Sequence, residues 1–453
     1  MCRIAAKHII SVSASLTIAI PVIISLWLVK APLFYQSEGN THLYGSTLKN
    51  REHRPDIVSA MSGLSKAKEG ALLGMLVADS IAMPVHWYYN VRDIKKDFGG
   101  WLTGYQAPKY HHPSSILTIS AVGGAGRSTS KTSGTTPVIG RVILHDKLKY
   151  WTSPSDSIHY HQGMSSGDNT LNSVLAIQVA NSIREAKTAD PGVSRSDLYA
   201  KILTDYVKFM TTPGSHNDTY AESFHREFFS DWEQDGSPVE KDRVMEFAEK
   251  RSKRLRSGHV DHNIDSIGAL VLPIPLILHY ADQSEDQAAQ AAVDFVKLTH
   301  CSKGLDPYVD LYARTLHSVV NGASLMEKAS EALQSPLLGG DGTLKVASMF
   351  SDHAKRQANS ESALEVYQRS VSQLGLACYI DGAITSMFFL ARNFHEDFES
   401  GVLTNANCGG ENCHRGAALG ALLGAAAANQ GKGVPPRFAE GLQMVKKGLL
   451  SVL

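Results

Sequence analysis

EGALLGMLVADSIAMPV, residues 69–85, is helical by pattern and ends at Pro84. Gly70 and Gly74 lie four apart, so they share one face of that helix. A second stretch, HRGAALGALLGAAAANQ (414–430), is almost pure Ala, Leu and Gly, with Gly416, Gly420 and Gly424 at the same spacing. Each glycine costs a helix interior about 1 kcal/mol relative to alanine. Its recurrence on one face implies that another backbone approaches closely. The second run is too short for a convincing membrane span, so tight packing in a soluble core is the expectation.

Working outward, further segments carry helical periodicity. TLNSVLAIQVANSIREA (170–186) places Leu175, Val179 and Ile183 at i, i+4. RSDLYAKILTDYVKFM (195–210) is amphipathic, and SIGALVLPIPLILHYAD (266–282) is apolar and broken by Pro273 and Pro275. SALEVYQRSVSQLGLACYIDGAITSMFFLARN (362–393) reads as one long helical stretch. Alternation of Val, Ile and Thr with hairpin turns is scarce. The expected fold is all-α, a compact helical bundle in one domain over 61–453. Residues 106–165, rich in Gly, Ser, Thr, Pro and His, read as a long loop or insertion.

Composition sets the bounds. The chain has 453 residues, 43% of them hydrophobic, enough to bury a sizeable core without staples. Lys+Arg and Asp+Glu are both 44, which argues against a broad nucleic-acid footprint. Five cysteines, odd in number and unevenly placed, do not suggest a disulfide scaffold. Residues 9–29 form an uncharged apolar run of the length that crosses a hydrocarbon core. Residues 1–30 therefore read as a single-pass signal anchor or a cleaved signal peptide, with membrane contact through 9–29 and 31–60 as a linker. The orientation is open. Either reading places the chain in a membrane or in the secretory pathway.

Two polar stretches stand at helix starts. Asp168, Asn169 and Thr170, in SSGDNTLNS, suit N-capping or ligation of a hard cation. NANCGGENCHRG (405–416) is the most unusual stretch, with a Gly-Gly turn followed by Glu411, Asn412, Cys413 and His414. An oxygen-rich site using Glu411 and Asn412 is the favoured reading there. Zinc lacks an evident four-ligand set. Thiol chemistry at Cys413 beside His414 is a further alternative. PGSHNDTYAESFHREFF (213–229) and GHVDHNIDS (258–266) add Asp218, Asp261, His262, Asn263 and Asp265, and read first as loop polarity and caps. Trp87, Tyr88 and Tyr89 read as a core cluster before an adenine platform. Phosphate-loop, H-E-x-x-H and dinucleotide patterns are absent from the sequence.

Together these pieces resemble the ADP-ribosylglycohydrolase family, which includes the J-type crystallins, over about residues 65–430. Residues 69–85 look like the family's opening helix, with Asp79 at its aspartate. GDNT (167–170) resembles the T-D-D-T motif, with Asp168 and Thr170 in place and Asn169 for the second aspartate. KLTHCSKG places His300 at the family's histidine. NCGGENCHRGAALGALLGA resembles G-G-D-T-D-T and its helix, with Glu411, Cys413 and His414 at the first Asp, second Asp and last Thr. This form looks like a divergent, crystallin-like branch.

The resemblance implies an all-α hydrolase that cleaves an ADP-ribosyl N- or O-glycosidic bond with one or two Mg²⁺ or Mn²⁺ ions. Its substrates would be an ADP-ribosylated protein or a small ADP-ribose derivative. It implies Asp168 and Glu411 as catalytic groups, and Asp79, Asp168, Asn169, Thr170 and Glu411 as metal ligands. Gly409, Gly410, Asn412 and His300 would bind substrate. Asn169 loses a charge and Cys413 is a poor magnesium ligand, so one ion is easier to hold than two. The alternative is an inactive protein of this fold with a ligand-binding or structural, crystallin-like role.

Overall fold

A computed structural model of the chain describes residues 66–124, 137–258 and 264–448. The apolar segment 9–29, the linker 31–60 and Asp261, His262 and Asn263 lie outside the described residues. Among the described residues, no helix is long and apolar enough to cross a membrane.

The fold is all-α, as the resemblance implies; among the described residues there are only isolated bridges and no strands. In chain order the helices are α1 (Lys66–Ala82), α2 (Arg92–Phe98), α3 (Leu148–Trp151), α4 (Leu171–Ala189), α5 (Arg195–Thr211) and α6 (Ser223–Gln234). Next come α7 (Lys241–Ser257), α8 (Ile274–His279), α9 (Glu285–Thr299), α10 (Asp306–Val320), α11 (Leu325–Gln334) and α12 (Asp341–Lys355). The last six are α13 (Ser360–Leu374), α14 (Ile380–Asn393), α15 (Phe398–Asn407), α16 (Asn412–Asn429), α17 (Pro436–Ala439) and α18 (Gln443–Lys446).

The two glycine-striped helices, α1 and α16, pack against each other at the centre. Gly70 faces Gly424, Gly74 faces Gly420 and Gly416 faces Ala78, so the pair is antiparallel. A β-carbon on Gly74 would lie 2.1 Å from the Gly420 carbonyl oxygen, and one on Gly424 1.9 Å from that of Gly70. Backbone therefore meets backbone, which only glycine permits. Both helices are buried nearly all round, as their lack of a polar face requires.

Antiparallel pairing brings the end of α1 to the start of α16. There the Trp87 amide donates to the Gly410 carbonyl at 2.7 Å, and the Gly410 amide to the Tyr88 carbonyl at 2.9 Å. Gly409 and Gly410 both have left-handed φ, +65° and +63°, so the turn between α15 and α16 needs them. Pro273 and Pro275 start α8 instead of merely interrupting a helix. The long 362–393 stretch divides at Gly375, where a β-carbon would lie 2.0 Å from the Gly382 backbone.

Within 106–165 the described residues hold only α3 and two short 3-10 turns, Leu117–Ile119 and His145–Lys147. The segment still sends His112, His159 and His161 into the interior. Burial lowers the pKa of His112 to about 4, and that of His300 to about 3. The unfolded chain takes up these protons first as pH falls. Stability is thus full above about pH 6.5 and lost from there toward about pH 4, at up to about 1.4 kcal/mol per pH unit for each histidine. Melting temperatures measured across that window should fall, and His300→Gln should make the fall shallower. A flat profile would contradict this.

Candidate functional site

Asp79, near the end of α1, is fully buried and accepts three hydrogen bonds from the start of α4. The donors are Thr170 Oγ1 at 2.6 Å, the Thr170 amide at 2.8 Å and Asn169 Nδ2 at 2.9 Å. Asp218 accepts from the Leu171 amide at 2.8 Å. Two distant carboxylates thus cap α4, whereas the Thr170 side chain makes no cap bond. Burial raises the Asp79 pKa, and the Thr170 and Asn169 bonds oppose that rise. Asp168 faces elsewhere: its Oδ2 accepts from the Ser165 amide at 2.8 Å, and its Oδ1 is 3.9 Å from Lys447 Nζ. Asp79→Ala strips the acceptor from three donors. It should destabilise the fold by about 3 kcal/mol in chemical denaturation, and a change under about 0.5 kcal/mol would contradict this role.

Glu411 is the N-cap of α16 and has no exposed surface. Its Oε1 lies 2.8 Å from His86 Nε2 and 3.0 Å from His414 Nδ1. His86 Nδ1 is 2.7 Å from His161 Nε2, and His161 Nδ1 is 2.7 Å from Asp218 Oδ1. On the other side, His414 Nδ1 is 3.6 Å from Glu222 Oε1. Glu222 also takes hydrogen bonds from Asn172 and Ser266. A β-carbon on Gly268 would lie 1.9 Å from Glu222 Oε2, so that glycine makes room for the carboxylate. One buried chain therefore runs Asp218, His161, His86, Glu411, His414, Glu222.

The chain separates the ionisation of its members. Burial lowers His86 to about 3. Burial also opposes charge on His414, but Glu222 and Glu411 outweigh it and lift its pKa to about 10. Burial would raise Glu411, yet His86 and His414 hold it well below the usual carboxylate range. Burial raises Glu222, with Glu411 adding to the rise and His414 opposing it. Burial and the nearby Asp79 and Glu411 push the Cys413 thiol well up, which disfavours its thiolate.

The expected substrate-binding residues support the loop. Asn412 Nδ2 donates to the Val85 and Ala406 carbonyls, and buried Arg415 ties Asn405 to the Gly409 carbonyl. His300 stands apart from the Glu411 chain, stacked on Phe224 with ring centroids 3.7 Å apart. Trp87 is buried, with φ of +63°, and stacks on His86 at 3.7 Å. Of the expected oxygen ligands, Asp79, Asn169 and Thr170 are joined to one another, Asp168 faces Ser165 and Lys447, and Glu411 meets imidazoles. Asn169 and Thr170 donate to Asp79, while the buried Asn169 Oδ1, an oxygen of the kind a hard ion takes, has no hydrogen-bond partner. His86, His161 and Glu222 complete the centre and were not singled out by sequence motif.

Among the described residues, two groups of side chains are spaced to hold a metal ion: His86, Glu411 and His414, and His86, His161 and Cys413. Both are buried. No curated protein matches the chain. A solved structure described as an ADP-ribosylglycohydrolase-related protein complex is 15% identical, with a TM-score of 0.44, over 85% of this chain and 95% of that one. The family profile of the ADP-ribosylglycohydrolases matches residues 64–452, from the start of α1 through the last helix. That span holds both glycine helices and every member of the buried chain, and the protein belongs to the ADP-ribosylglycohydrolase family.

Proposed function

We propose that this protein is a divalent-metal-dependent hydrolase that cleaves an ADP-ribosyl N- or O-glycosidic bond. The family acts on ADP-ribosylated substrates and typically depends on a divalent metal. One observation carries the reading here: Glu411 and Glu222 flank His414 at 3.0 and 3.6 Å, with their affinities for a proton driven apart. Glycoside cleavage uses such a pair, one carboxyl giving a proton to the leaving group and the other staying ionised. Glu222 suits the first role and Glu411 the second. A divalent ion, when bound, lowers the pKa of water and polarises the departing bond. His161 and Asp218 orient His86, and Gly268 leaves Glu222 its position.

The test is ADP-ribose release by the full chain from a mixed ADP-ribosylated protein pool and from small ADP-ribosyl derivatives, before and after chelation. Release that chelation abolishes is expected. No release from any of these substrates, with ions added back, would overturn the reading. It would favour a second one, a ligand-binding or structural role, which draws support from the complete burial of Glu411, His86 and Asp79.

A further inference from the structure

The chain from Asp218 to Glu411 has three links: Asp218 to His161, His161 to His86, and His86 to Glu411. Both ends are carboxylates, which accept when ionised. A neutral imidazole carries one N–H, so the two rings bring two protons to three links. If His161 donates to Asp218 and His86 donates to His161, then His86 Nε2 presents its lone pair to Glu411 Oε1 at 2.8 Å. Two lone pairs at that distance repel unless a positive centre lies between or beside them, either a proton, such as the one on His414 3.0 Å from the same oxygen, or a metal ion. At the same place the buried Glu411 Oε2 has no hydrogen-bond partner, and His414 Nδ1 lies 3.0 Å from Glu411 Oε1.

We propose that His86 Nε2, His414 Nδ1 and the Glu411 carboxylate ligate one nitrogen-preferring first-row transition ion of the zinc class, and not magnesium. The three side chains offer ligand atoms within 4.8 Å of one another. Two imidazoles and one carboxylate form a known donor set for catalytic zinc. Imidazole nitrogen favours zinc, iron, nickel or cobalt, whereas magnesium favours oxygen and water. The surrounding contacts match such a site. A metal-bound histidine usually gives its other N–H to a fixed acceptor, the role that the His161–Asp218 pair fills for His86 in this tautomer. His161 is therefore a positioning residue. Binding displaces the proton that His414 otherwise holds. The inference rests on reading the site as one that takes a divalent ion, and it is independent of which bond is hydrolysed.

The experiment strips the full chain with a chelator and titrates it with Co²⁺ alone, followed by visible absorption. About one equivalent should bind with the spectrum of a nitrogen-ligated, low-coordinate ion, and a large excess of Mg²⁺ should not displace it. His161→Gln should weaken binding about 10–100-fold, and His414→Gln by more. Where a variant fails to fold, the wild type decides: Co²⁺ or Zn²⁺ should raise its melting temperature and Mg²⁺ should not. Absence of the spectrum, displacement by Mg²⁺, or unchanged binding in folded His414→Gln would overturn the site. ADP-ribose release by ion-free protein would overturn the metal dependence of the hydrolysis, and the Co²⁺ titration would still decide the site. Bound ion without release would leave the site standing and overturn the hydrolysis.

Discussion

Gly74→Val is expected to destabilise the fold by about 3 kcal/mol or more, and Gly420→Val similarly. The α-carbons of these residues meet the opposing backbone, and a β-carbon on either would lie 2.1–2.2 Å from a carbonyl oxygen. No rotamer relieves that contact, because the obstacle is main chain. The only escape is to separate α1 from α16, and with them the two halves of the site. Added side-chain bulk improves helix propensity only slightly, by less than about 1 kcal/mol, so the clash wins. Gly342, near the start of α12, is the control, since a β-carbon there meets nothing within 4 Å. Gly342→Ala should be neutral or stabilising by up to about 1 kcal/mol. Urea denaturation of the three variants reads the difference, and equal stability of Gly74→Val and wild type would contradict the packing described.

The glycine spacing was legible because a period of four has a direct steric meaning. What it did not reveal was that the two stripes face each other, since the helices are separated by most of the domain in sequence. The same limit applies to the site. Asp79, Asn169 and Thr170 belong to local motifs, and the structure joins them. Glu411 and His414 were visible in one short stretch, but His86 lies 325 residues from Glu411, and no fixed spacing links them. His161 comes from a segment that reads as polar loop, yet it is buried beside Asp218. Glu222 sat within a stretch noted for its polarity, with nothing local to mark it as His414's neighbour. The break at Gly375 was similarly hidden, because helical composition continues on both sides of it.

Glu411→Gln is expected to lower ADP-ribose release at least about 100-fold while the fold persists. The substitution keeps the shape of the side chain and removes the charge that faces His86 and His414. An amide nitrogen or a neutral oxygen in that position no longer balances the His414 imidazolium and no longer offers a carboxylate to an ion. Circular dichroism should show an unchanged helical spectrum. Wild-type rates of release in Glu411→Gln would show that chemistry occurs elsewhere.

The proposed chemistry has Glu222 and Glu411 act as one unit across His414. It is tested most directly by ADP-ribose release from Glu222→Gln, Glu411→Gln and the double variant, on one substrate pool. Residues that act together are not additive. The prediction is that each single change costs at least about 100-fold and that the double variant is no more than about threefold worse than the poorer single one. Losses that multiply in the double variant, or rates equal to wild type in either single one, would contradict it.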